Sequence, residues 1–305
     1  MPLVSVVSPS YNHEKFLARA IESIICQTFA DLELIIIDDA SADGSRKILE
    51  DYAKKDGRIR AVFHRENAGI VRTMNEGLEM ARGKFISLFA SDDEWARDKL
   101  EKQMKILVND EDLVVWSDGL IIDQEGAETG KTFLQMYGAT RRKKNGYIFE
   151  ELLKGNFICG LSIIFKKEHV KDIRYDEQFK YLNDYKFMID LAYRYKFYFI
   201  PEPLVKYRVH VDNSIIARER ECYEETIALQ EFFLKQYGGE ITNMAKADIH
   251  FGLSSIYRRL GDLSSTKYHL IRAFKFDPLS FFRNSADRVL SKIDKFGLLA
   301  PFWKR

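Results

Sequence analysis

KFISLFASDDEW, residues 84–95, places two adjacent carboxylates directly after a short apolar run. The run KFISLF (84–89) has the length and the aromatic and β-branched content of a buried strand. The carboxylates of Asp92 and Asp93 repel each other, and neither is suited to an apolar core. Their position at the end of a predicted strand therefore indicates that they bind a ligand.

Strands and helices alternate on both sides of this stretch, from residue 1 to about residue 118. The predicted strands are LVSVVS (3–8), ELIIID (33–38), IRAVFH (59–64), KFISLF (84–89) and LVVWSD (113–118). Helical patterns fill the intervals at 16–27, 41–55, 68–83 and 98–108. Near-continuous apolar strands that alternate with helices are typical of a parallel sheet covered on both faces.

Polar clusters follow the ends of three of these strands. They are SPSYN (8–12), DDAS (38–41) and SDD (91–93). Because ligands of such sheets bind beyond the carboxyl ends of the strands, we expect the clusters to converge at one edge. The sequence has no G-x-G-x-x-G after the first strand and no G-x-x-x-x-G-K-[ST], which argues against the dinucleotide-binding and P-loop motifs.

The chain after residue 118 has a mixed pattern and then becomes helical. Between 119 and 215 we predict a basic loop leading into a helix (140–156), a strand (158–167), a helix (181–195) and a strand (197–210). From about 216 the pattern is helical, with a Gly-Asp break at 261–262 and an Asp-Pro pair at 277–278. A single hairpin of this kind is too short for a repeat array, so we predict a helical appendage.

Composition limits the class of protein. The 305 residues are 46% hydrophobic and 30% charged, and the formal net charge of +1 gives no field that favours nucleic acid as a partner. Three cysteines without CxxC spacing argue against a disulfide framework and indicate a reducing, cytoplasmic compartment. The apolar runs fall far short of the about 20 residues of a membrane-spanning helix, and the N-terminus lacks the pattern of a signal peptide.

Several motifs in order make the chain similar to family 2 glycosyltransferases of the bacterial polysaccharide-biosynthesis type. They are VSVVSPSYN, LELIIIDDASADGS, NAGIVRTMNEGLEMARGKFISLFASDD, YLNDYKFMIDLAYR and PLVKYRVH, which together span roughly residues 2–215. The resemblance implies an α/β GT-A (Rossmann-like) fold, a mostly parallel mixed sheet flanked by helices. It also implies a catalytic domain at 1–215, with a nucleotide-binding half (1–118) and an acceptor half (119–215), and a helical C-terminal extension at 216–305.

This resemblance implies an inverting, metal-dependent transferase in cell-surface polysaccharide biosynthesis. It would move a sugar from a UDP- (or dTDP-) sugar to a hydroxyl of a glycan or lipid-linked acceptor, with Mn²⁺ or Mg²⁺ as cofactor. One alternative is a nucleotidyltransferase, which would need a Gly-rich basic loop that SPSYNHEK lacks. A second alternative is an inactive sugar-nucleotide-binding scaffold, although the presence of Asp39, Asp93 and Asp184 together argues against it.

The resemblance also implies which residues bind the nucleotide. Asp39 would accept the imide N–H of a uracil or thymine ring, a donor that cytosine lacks, while Asp38 would be structural. Tyr11 would flank the base, and Pro9 and Ser10 would complete that loop.

Two further positions belong to the implied nucleotide site. Arg72, early in the third predicted helix and near Asn67, would reach the nucleotide or its diphosphate, because a guanidinium suits phosphate oxygens. A solvated helix face is the alternative interpretation of Arg72.

The metal-binding motif of the family corresponds here to Ala90-Ser91-Asp92-Asp93. Ala90 cannot ligate, so either Asp93 binds the metal and Asp92 contacts the ribose, or the reverse holds. Ser91 would also belong to the nucleotide site. We favour Asp93 as the ligand. His210 would add a ligand to the metal or contact the diphosphate, with a structural histidine as the alternative.

Asp184 in YLNDYKF matches the catalytic base of the family, where most members have Glu-Asp and this chain has Asn183-Asp184. A base at this position would deprotonate the acceptor hydroxyl as it attacks the anomeric carbon opposite the leaving group, which inverts the configuration. Ordinary helix exposure is the alternative for this aspartate.

The C-terminal segment 264–305 is rich in lysine and arginine. Leu290, Ile293 and Phe296 alternate with Arg288, Lys292 and Lys295, which predicts an amphipathic basic helix. Such a helix is compatible with peripheral contact at the inner face of a membrane; the alternative is a helix packed on the catalytic domain.

Overall fold

The computed structural model describes residues 1–210 and 218–285. The chain divides into two compact units. The sheet unit comprises Met1–Leu152 and Asn156–Arg218, and the helical unit comprises Leu153–Gly155 and the chain from Glu219 onward. The boundary predicted between 215 and 216 lies outside the described residues, so the division into 1–118, 119–215 and 216–305 stays a prediction.

The sheet unit is built on a mixed nine-stranded sheet. In chain order its strands are β1 (Val4–Ser10), β2 (Leu32–Asp38), β3 (Ile59–Phe63), β4 (Phe85–Leu88), β5 (Glu94–Trp95), β6 (Val114–Ile122), β7 (Glu128–Thr132), β8 (Ile164–Lys166) and β9 (Phe197–Arg208). Their spatial order is β3-β2-β1-β4-β8-β6-β9-β5, and β7 pairs with β6. The first four strands of that order run parallel to one another, so their carboxyl ends lie at one edge.

Helices flank this sheet as the alternation predicts. Along residues 1–210 they are α1 (Glu14–Ile25), α2 (Ser45–Lys55), α3 (Ile70–Met80), α4 (Lys99–Leu107), α5 (Phe133–Met136), α6 (Phe149–Leu153) and α7 (Asn183–Arg194), with 3-10 turns at Gly160–Ser162 and Lys167–Val170. All seven residues of β2 are buried, as expected for a strand covered on both faces. The predicted α/β class with a mixed sheet flanked by helices is thereby confirmed.

One strand departs from the simple alternation. The segment predicted at 113–118 becomes β6, yet it does not pair with β4. β8 lies between them and runs antiparallel to both. The first part of the strand predicted at 158–167 instead forms the 3-10 turn Gly160–Ser162. Apolar patterning predicts which segments are strands, but strand order depends on pairing between distant segments, which the pattern does not encode.

The helical unit contains α8 (Glu219–Tyr237), α9 (Asn243–Leu260) and α10 (Leu263–Phe276), and residues 278–285 are also helical. The side chains of Thr242 and Asp262 cap α9 and α10 by accepting backbone N–H groups of the first turn. Gly261 ends α9 with a φ of 84°, a left-handed conformation that favours glycine, at the predicted Gly-Asp break. α9 and α10 are joined by a hydrogen bond of 2.8 Å between the Nδ1 atoms of His250 and His269, both buried.

Within the described residues, no helix is both long and apolar enough to cross a membrane. The predicted amphipathic helix with Leu290, Ile293 and Phe296 lies outside the part of the chain that the structure describes.

Candidate active site

The loops that follow β1, β2 and β4 are tied to one another by hydrogen bonds. The Asn12 N–H donates to Ser41 Oγ at 2.9 Å, and the His13 N–H donates to Ser45 Oγ at 3.1 Å, so the β1 loop is held against the β2 loop. The His13 ring joins the β4 loop through a 2.7 Å hydrogen bond between its Nδ1 and Ser91 Oγ. The polar clusters that the sequence places after these strands therefore do converge at the carboxyl edge.

Asp39 connects the β2 loop to the loop after β3. Its Oδ1 accepts the Ala68 N–H and its Oδ2 accepts the Gly69 N–H, each at 2.8 Å, and His64 Nδ1 lies 2.7 Å from Oδ1. Burial alone would lower the pKa of His64, but its hydrogen bonds to Asp39 and Glu76 raise that pKa above its usual value. The buried Asp39 carboxylate is thus extensively bound within the chain, although carboxylate oxygens can accept more than one hydrogen bond.

Ser10 and Asp38 carry the unpaired polar atoms of this edge. They face each other in the register of β1 and β2, and both are buried. Asp38 Oδ2 accepts the Ser41 N–H at 3.1 Å, whereas Asp38 Oδ1 and Ser10 Oγ make no hydrogen bond within the described residues. A buried polar atom without a partner is costly, and a bound ligand is one way to satisfy it. Asp38, interpreted from sequence as structural, therefore offers a freer oxygen than Asp39.

The other predicted nucleotide-site residues lie around this edge. Pro9 belongs to β1, and the Tyr11 side chain that follows it is 46% exposed, as a residue that flanks a base would be. Asn67 Nδ2 donates to the Asp39 carbonyl at 3.1 Å. Arg72 forms an ion pair with Glu177 at 3.2 Å, and both side chains are largely exposed. Such surface pairs are weak, so the guanidinium can exchange this partner for another anion.

His13, Asp92 and His210 form a cluster with the spacing of metal ligands. One nitrogen of each ring and one carboxylate oxygen all lie within 4.8 Å of one another. His210 Nε2 is 3.0 Å and His13 Nε2 is 4.0 Å from Asp92 Oδ2. Ligands about 2.1 Å from a divalent ion are about 3.0 Å apart when adjacent and about 4.2 Å apart when opposite in an octahedron, so both distances to Asp92 Oδ2 are compatible with ligands of one ion.

The charge state of Asp92 suits this role. Burial would raise the pKa of its carboxyl, but the hydrogen bond from His210 and the nearby His13 lower it below the usual value. The ionised carboxylate is the form that binds a cation.

The Asp93 carboxylate contacts the backbone of Arg208 instead of the two histidines. It is buried, and its Oδ1 accepts the backbone N–H of Arg208 in β9 at 2.6 Å. Burial and the neighbouring Asp92 carboxylate raise the pKa of Asp93 well above its usual value. The contacts therefore favour Asp92 as the cation ligand, the second of the two assignments that the sequence left open, over the Asp93 assignment that we favoured. Both stay predictions until cation binding is measured.

Arg208 is a site residue that sequence analysis missed. Its side chain is fully buried, and Nε donates to the Asp92 carbonyl at 2.7 Å. Nη1 donates to the carbonyls of Asp123 and Gln124 at 3.1 Å, and Nη2 bonds Glu94 Oε1 at 2.5 Å. Arg208 thus fixes the loop that carries Asp92. An arginine between apolar residues of the strand LVKYRVH was the available signal.

Asp184 lies in the first turn of α7, where its Oδ1 accepts the Tyr185 N–H. The turn at Gly160 comes close to it, because a Cβ built on Gly160 would lie 3.8 Å from Asp184 Oδ2 and 3.2 Å from Met188 Cε. The latter distance is shorter than ordinary van der Waals contact, so a side chain at position 160 would require the Met188 side chain to shift.

The pKa of the buried Cys159 thiol is affected by both predicted acidic residues. Burial raises the pKa of this thiol well above its usual value, and the carboxylates of Asp93 and Asp184 both add to the increase. Burial and the Asp93 carboxylate likewise raise the pKa of Tyr207. Both carboxylates therefore contribute to the electrostatic environment of Cys159.

The turn beside Asp184 is held by side chains from β4, β5 and α4. Trp95 Nε1, Gln103 Nε2 and Ser87 Oγ donate to the carbonyls of residues 161, 162 and 163 at 3.1, 2.6 and 2.7 Å. Lys99, which is fully buried, donates to Ser87 Oγ and to Gln103 Oε1, and burial lowers its pKa well below the usual value. This network places the Gly160 turn, and no short motif in the sequence indicated it.

The family model described as Glycosyl transferase family 2 matches residues 5–174. TuaG of Bacillus subtilis, a glycosyltransferase named for teichuronic acid biosynthesis, is 30% identical over 226 residues, which cover 74% of this chain and 86% of TuaG. The Rickettsia typhi glycosyltransferase RT0329 is 28% identical over an alignment of 306 positions, which covers 97% of this chain and 93% of that protein. This chain belongs to glycosyl transferase family 2. The predicted family and the predicted enzyme class are therefore confirmed.

Solved structures show the same fold. The mannosyltransferase PcManGT from Pyrobaculum calidifontis, in complex with GDP-Man and Mn²⁺, superposes with a TM-score of 0.64 at 19% identity and covers 98% of this chain and 81% of its own. Residues 1–349 of TarS from S. aureus, in complex with UDP-GlcNAc, give a TM-score of 0.63 at 15% identity, covering 90% of this chain and 91% of that one. The predicted GT-A fold is thereby confirmed.

Proposed function

We propose that this glycosyltransferase moves a sugar from a UDP- (or dTDP-) sugar, with inversion, to a hydroxyl of a glycan or lipid-linked acceptor in cell-surface polysaccharide biosynthesis. The main support for this proposal is that the loops after β1, β2, β3 and β4 meet at the carboxyl edge of the sheet. An Asp–His cluster that could bind a cation lies at the same edge. Two relatives support the choice of substrate class, since TuaG is named for teichuronic acid biosynthesis and TarS holds UDP-GlcNAc.

The polar atoms at the ends of β1 and β2 would bind the uracil or thymine ring of the sugar nucleotide. A carboxylate accepts an imide N–H, so the unpaired Asp38 Oδ1 and the Asp39 carboxylate both suit uracil or thymine and disfavour cytosine. Ser10 Oγ can donate to a base carbonyl, and the exposed Tyr11 ring can flank the base. Arg72 can leave its exposed pair with Glu177 to meet the diphosphate.

A divalent cation, Mn²⁺ or Mg²⁺, would be held by Asp92 and His210. When bound, such a cation neutralises charge that develops on the diphosphate leaving group. Other side chains hold these two residues in place. Arg208 donates a hydrogen bond to the Asp92 carbonyl, and the Phe16 ring packs with its centroid 5.0 Å from that of the His210 ring.

Asp184 acts in this proposal as the general base. Its carboxylate takes the proton of the acceptor hydroxyl while that oxygen attacks the anomeric carbon on the face opposite the diphosphate. The Gly160 turn, fixed by the Trp95, Gln103 and Ser87 hydrogen bonds, lies beside this carboxylate.

A matched pair of substitutions tests the donor site. Asp92→Asn removes the charge beside His210 and is expected to weaken binding of UDP in saturating Mn²⁺ by at least about 10-fold. Asp93→Asn keeps an oxygen that can accept the Arg208 N–H and is expected to change that affinity by less than about 3-fold. Isothermal titration of UDP measures both. The opposite ranking would return the ligand role to Asp93, and undiminished binding in both variants would contradict the proposed donor site.

We further propose a cytoplasmic location with peripheral contact at the inner face of the membrane. α10 has no acidic residue, and four large apolar side chains are exposed on it together with three cationic ones: Leu263, Tyr268, Ile271, Phe274, Lys267, Arg272 and Lys275. Leu279 and Phe282, which follow in the helical segment 278–285, are 82% and 60% exposed. A helix face that combines apolar and basic side chains is typical of binding at an anionic lipid surface.

Vesicle co-sedimentation tests this contact. The double substitution Phe274→Glu with Lys275→Glu reverses the character of the α10 face and is expected to lower binding to phosphatidylglycerol vesicles by at least about 5-fold. The control Lys235→Glu changes an exposed charge on α8 and is expected to leave binding within about 2-fold. Equal partitioning of all three proteins, or equal binding to phosphatidylcholine vesicles, would contradict a role for this face.

A further inference from the structure

His13 was not among the residues that the sequence singled out, yet it completes the cluster at the carboxyl edge. It lies in the loop after β1, immediately before α1. Its Nδ1 is 2.7 Å from Ser91 Oγ, and Ser91 is buried. With Ser91 Oγ accepting the Nδ1–H, the lone pair of the ring resides on Nε2, the nitrogen that lies 4.0 Å from Asp92 Oδ2.

A hydrogen bond of this kind has a known counterpart at metal sites. Histidine ligands usually donate their second ring N–H to a neighbouring acceptor, which fixes the tautomer and the ring orientation. Ser91 serves His13 in that way. The side chains of His13, Asp92 and His210 are 26%, 14% and 3% exposed, so the cluster is held by the protein but open on the His13 side.

We propose that His13 is a third protein ligand of the divalent cation, which makes the site a two-histidine, one-carboxylate centre. The inference rests on the cation site of the proposed function and extends it. His13 Nε2 and His210 Nε2 lie 4.0 and 3.0 Å from the same Asp92 oxygen, and one nitrogen of each ring lies within 4.8 Å of the other and of that carboxylate. Water and the donor diphosphate would take the remaining positions.

This donor set has a consequence for the identity of the cation. Mg²⁺ prefers oxygen ligands and keeps several waters, whereas imidazole favours first-row transition metals. A site with two imidazole nitrogens and one carboxylate should therefore bind Mn²⁺ more tightly than Mg²⁺, and three protein ligands should hold Mn²⁺ without any nucleotide. We expect Mn²⁺ to bind the nucleotide-free protein at least about 10-fold more tightly than Mg²⁺ does.

The test is an electron paramagnetic resonance titration of Mn²⁺ with the full chain and no nucleotide. His13→Gln is expected to raise the dissociation constant of Mn²⁺ at least about 10-fold. The matched control His64→Gln changes a histidine that contacts Asp39 and Glu76 instead of the cluster, and is expected to leave that constant within about 2-fold. Unchanged Mn²⁺ affinity in His13→Gln, or equal affinity of the wild type for Mg²⁺, would overturn the inference.

Electron spin echo modulation from ¹⁴N counts the imidazoles bound to Mn²⁺ in the wild-type protein, so it tests the role of His13 even if His13→Gln does not fold. The wild-type Mn²⁺ complex is expected to show two coordinated imidazoles, and a single one would overturn the assignment of His13. Neither measurement uses a sugar donor or acceptor. A protein that shows both imidazoles but transfers no sugar would contradict the proposed function alone, and active transfer with one imidazole would contradict only this inference.

Discussion

Replacing Asp184 with asparagine is expected to slow sugar transfer by about 10²- to 10⁴-fold, the usual contribution of a positioned general base. Asparagine has nearly the same shape but cannot take a proton from the acceptor hydroxyl. Binding of UDP in Mn²⁺ is expected to change by less than about 3-fold, because the proposed donor site at the carboxyl edge does not use Asp184. The rate is measured as Mn²⁺-dependent release of UDP from a panel of UDP-sugars, with and without glycan acceptors.

The matched control for this substitution is Asp190→Asn in the same helix. Asp190 accepts hydrogen bonds of 2.9 and 2.7 Å from Lys186, four residues earlier, so its loss removes a pair within α7 and no proposed catalytic group. We expect its transfer rate to stay within about 3-fold of wild type. A rate for Asp184→Asn equal to that of Asp190→Asn would remove Asp184 from the role of base.

Replacing Arg208 with methionine is expected to lower the free energy of unfolding of the sheet unit by about 3–5 kcal/mol. The substitution keeps much of the apolar stem but leaves Glu94 without its cationic partner and leaves the carbonyls of Asp92, Asp123 and Gln124 without this donor. Urea denaturation followed by tryptophan fluorescence measures the change.

The control is Lys206→Met, two residues earlier in β9. Lys206 pairs with Glu128 at 3.3 Å, and both side chains are partly exposed, so a change of less than about 1 kcal/mol is expected. Arg208→Met should also weaken Mn²⁺-dependent UDP binding, because the Asp92 loop loses its anchor. Equal unfolding energies for the two variants would show that the Arg208 contacts do not stabilise the loop.

The sequence was most informative where local patterns decide the structure. Apolar runs and helical spacing predicted β1 to β4 and the helices between them, and the polar clusters after those strands predicted the edge at which their loops meet. The Gly-Asp break at 261–262 predicted the turn between α9 and α10, since glycine there adopts a positive φ and aspartate caps the next helix.

Features that depend on contacts between distant segments were not predictable in this way. The strand predicted at 158–167 contains β8, but its place between β4 and β6 was not predicted. β5 is two residues long and has no usable period. His13 and Arg208 are lone polar residues in the sequence, and their importance emerges only when β1, β4 and β9 bring them to Asp92. The choice between Asp92 and Asp93 likewise depends on side-chain direction, which adjacency in sequence leaves open.

The most direct test of the cation and donor site is anomalous diffraction at the manganese edge from crystals grown with UDP and Mn²⁺. We expect one strong peak about 2.2 Å from an Asp92 carboxylate oxygen, close to His210 Nε2 and in contact with the UDP diphosphate at the carboxyl edge. A peak bound to Asp93 without Asp92, or UDP and manganese at any other part of the sheet unit, would contradict this expectation.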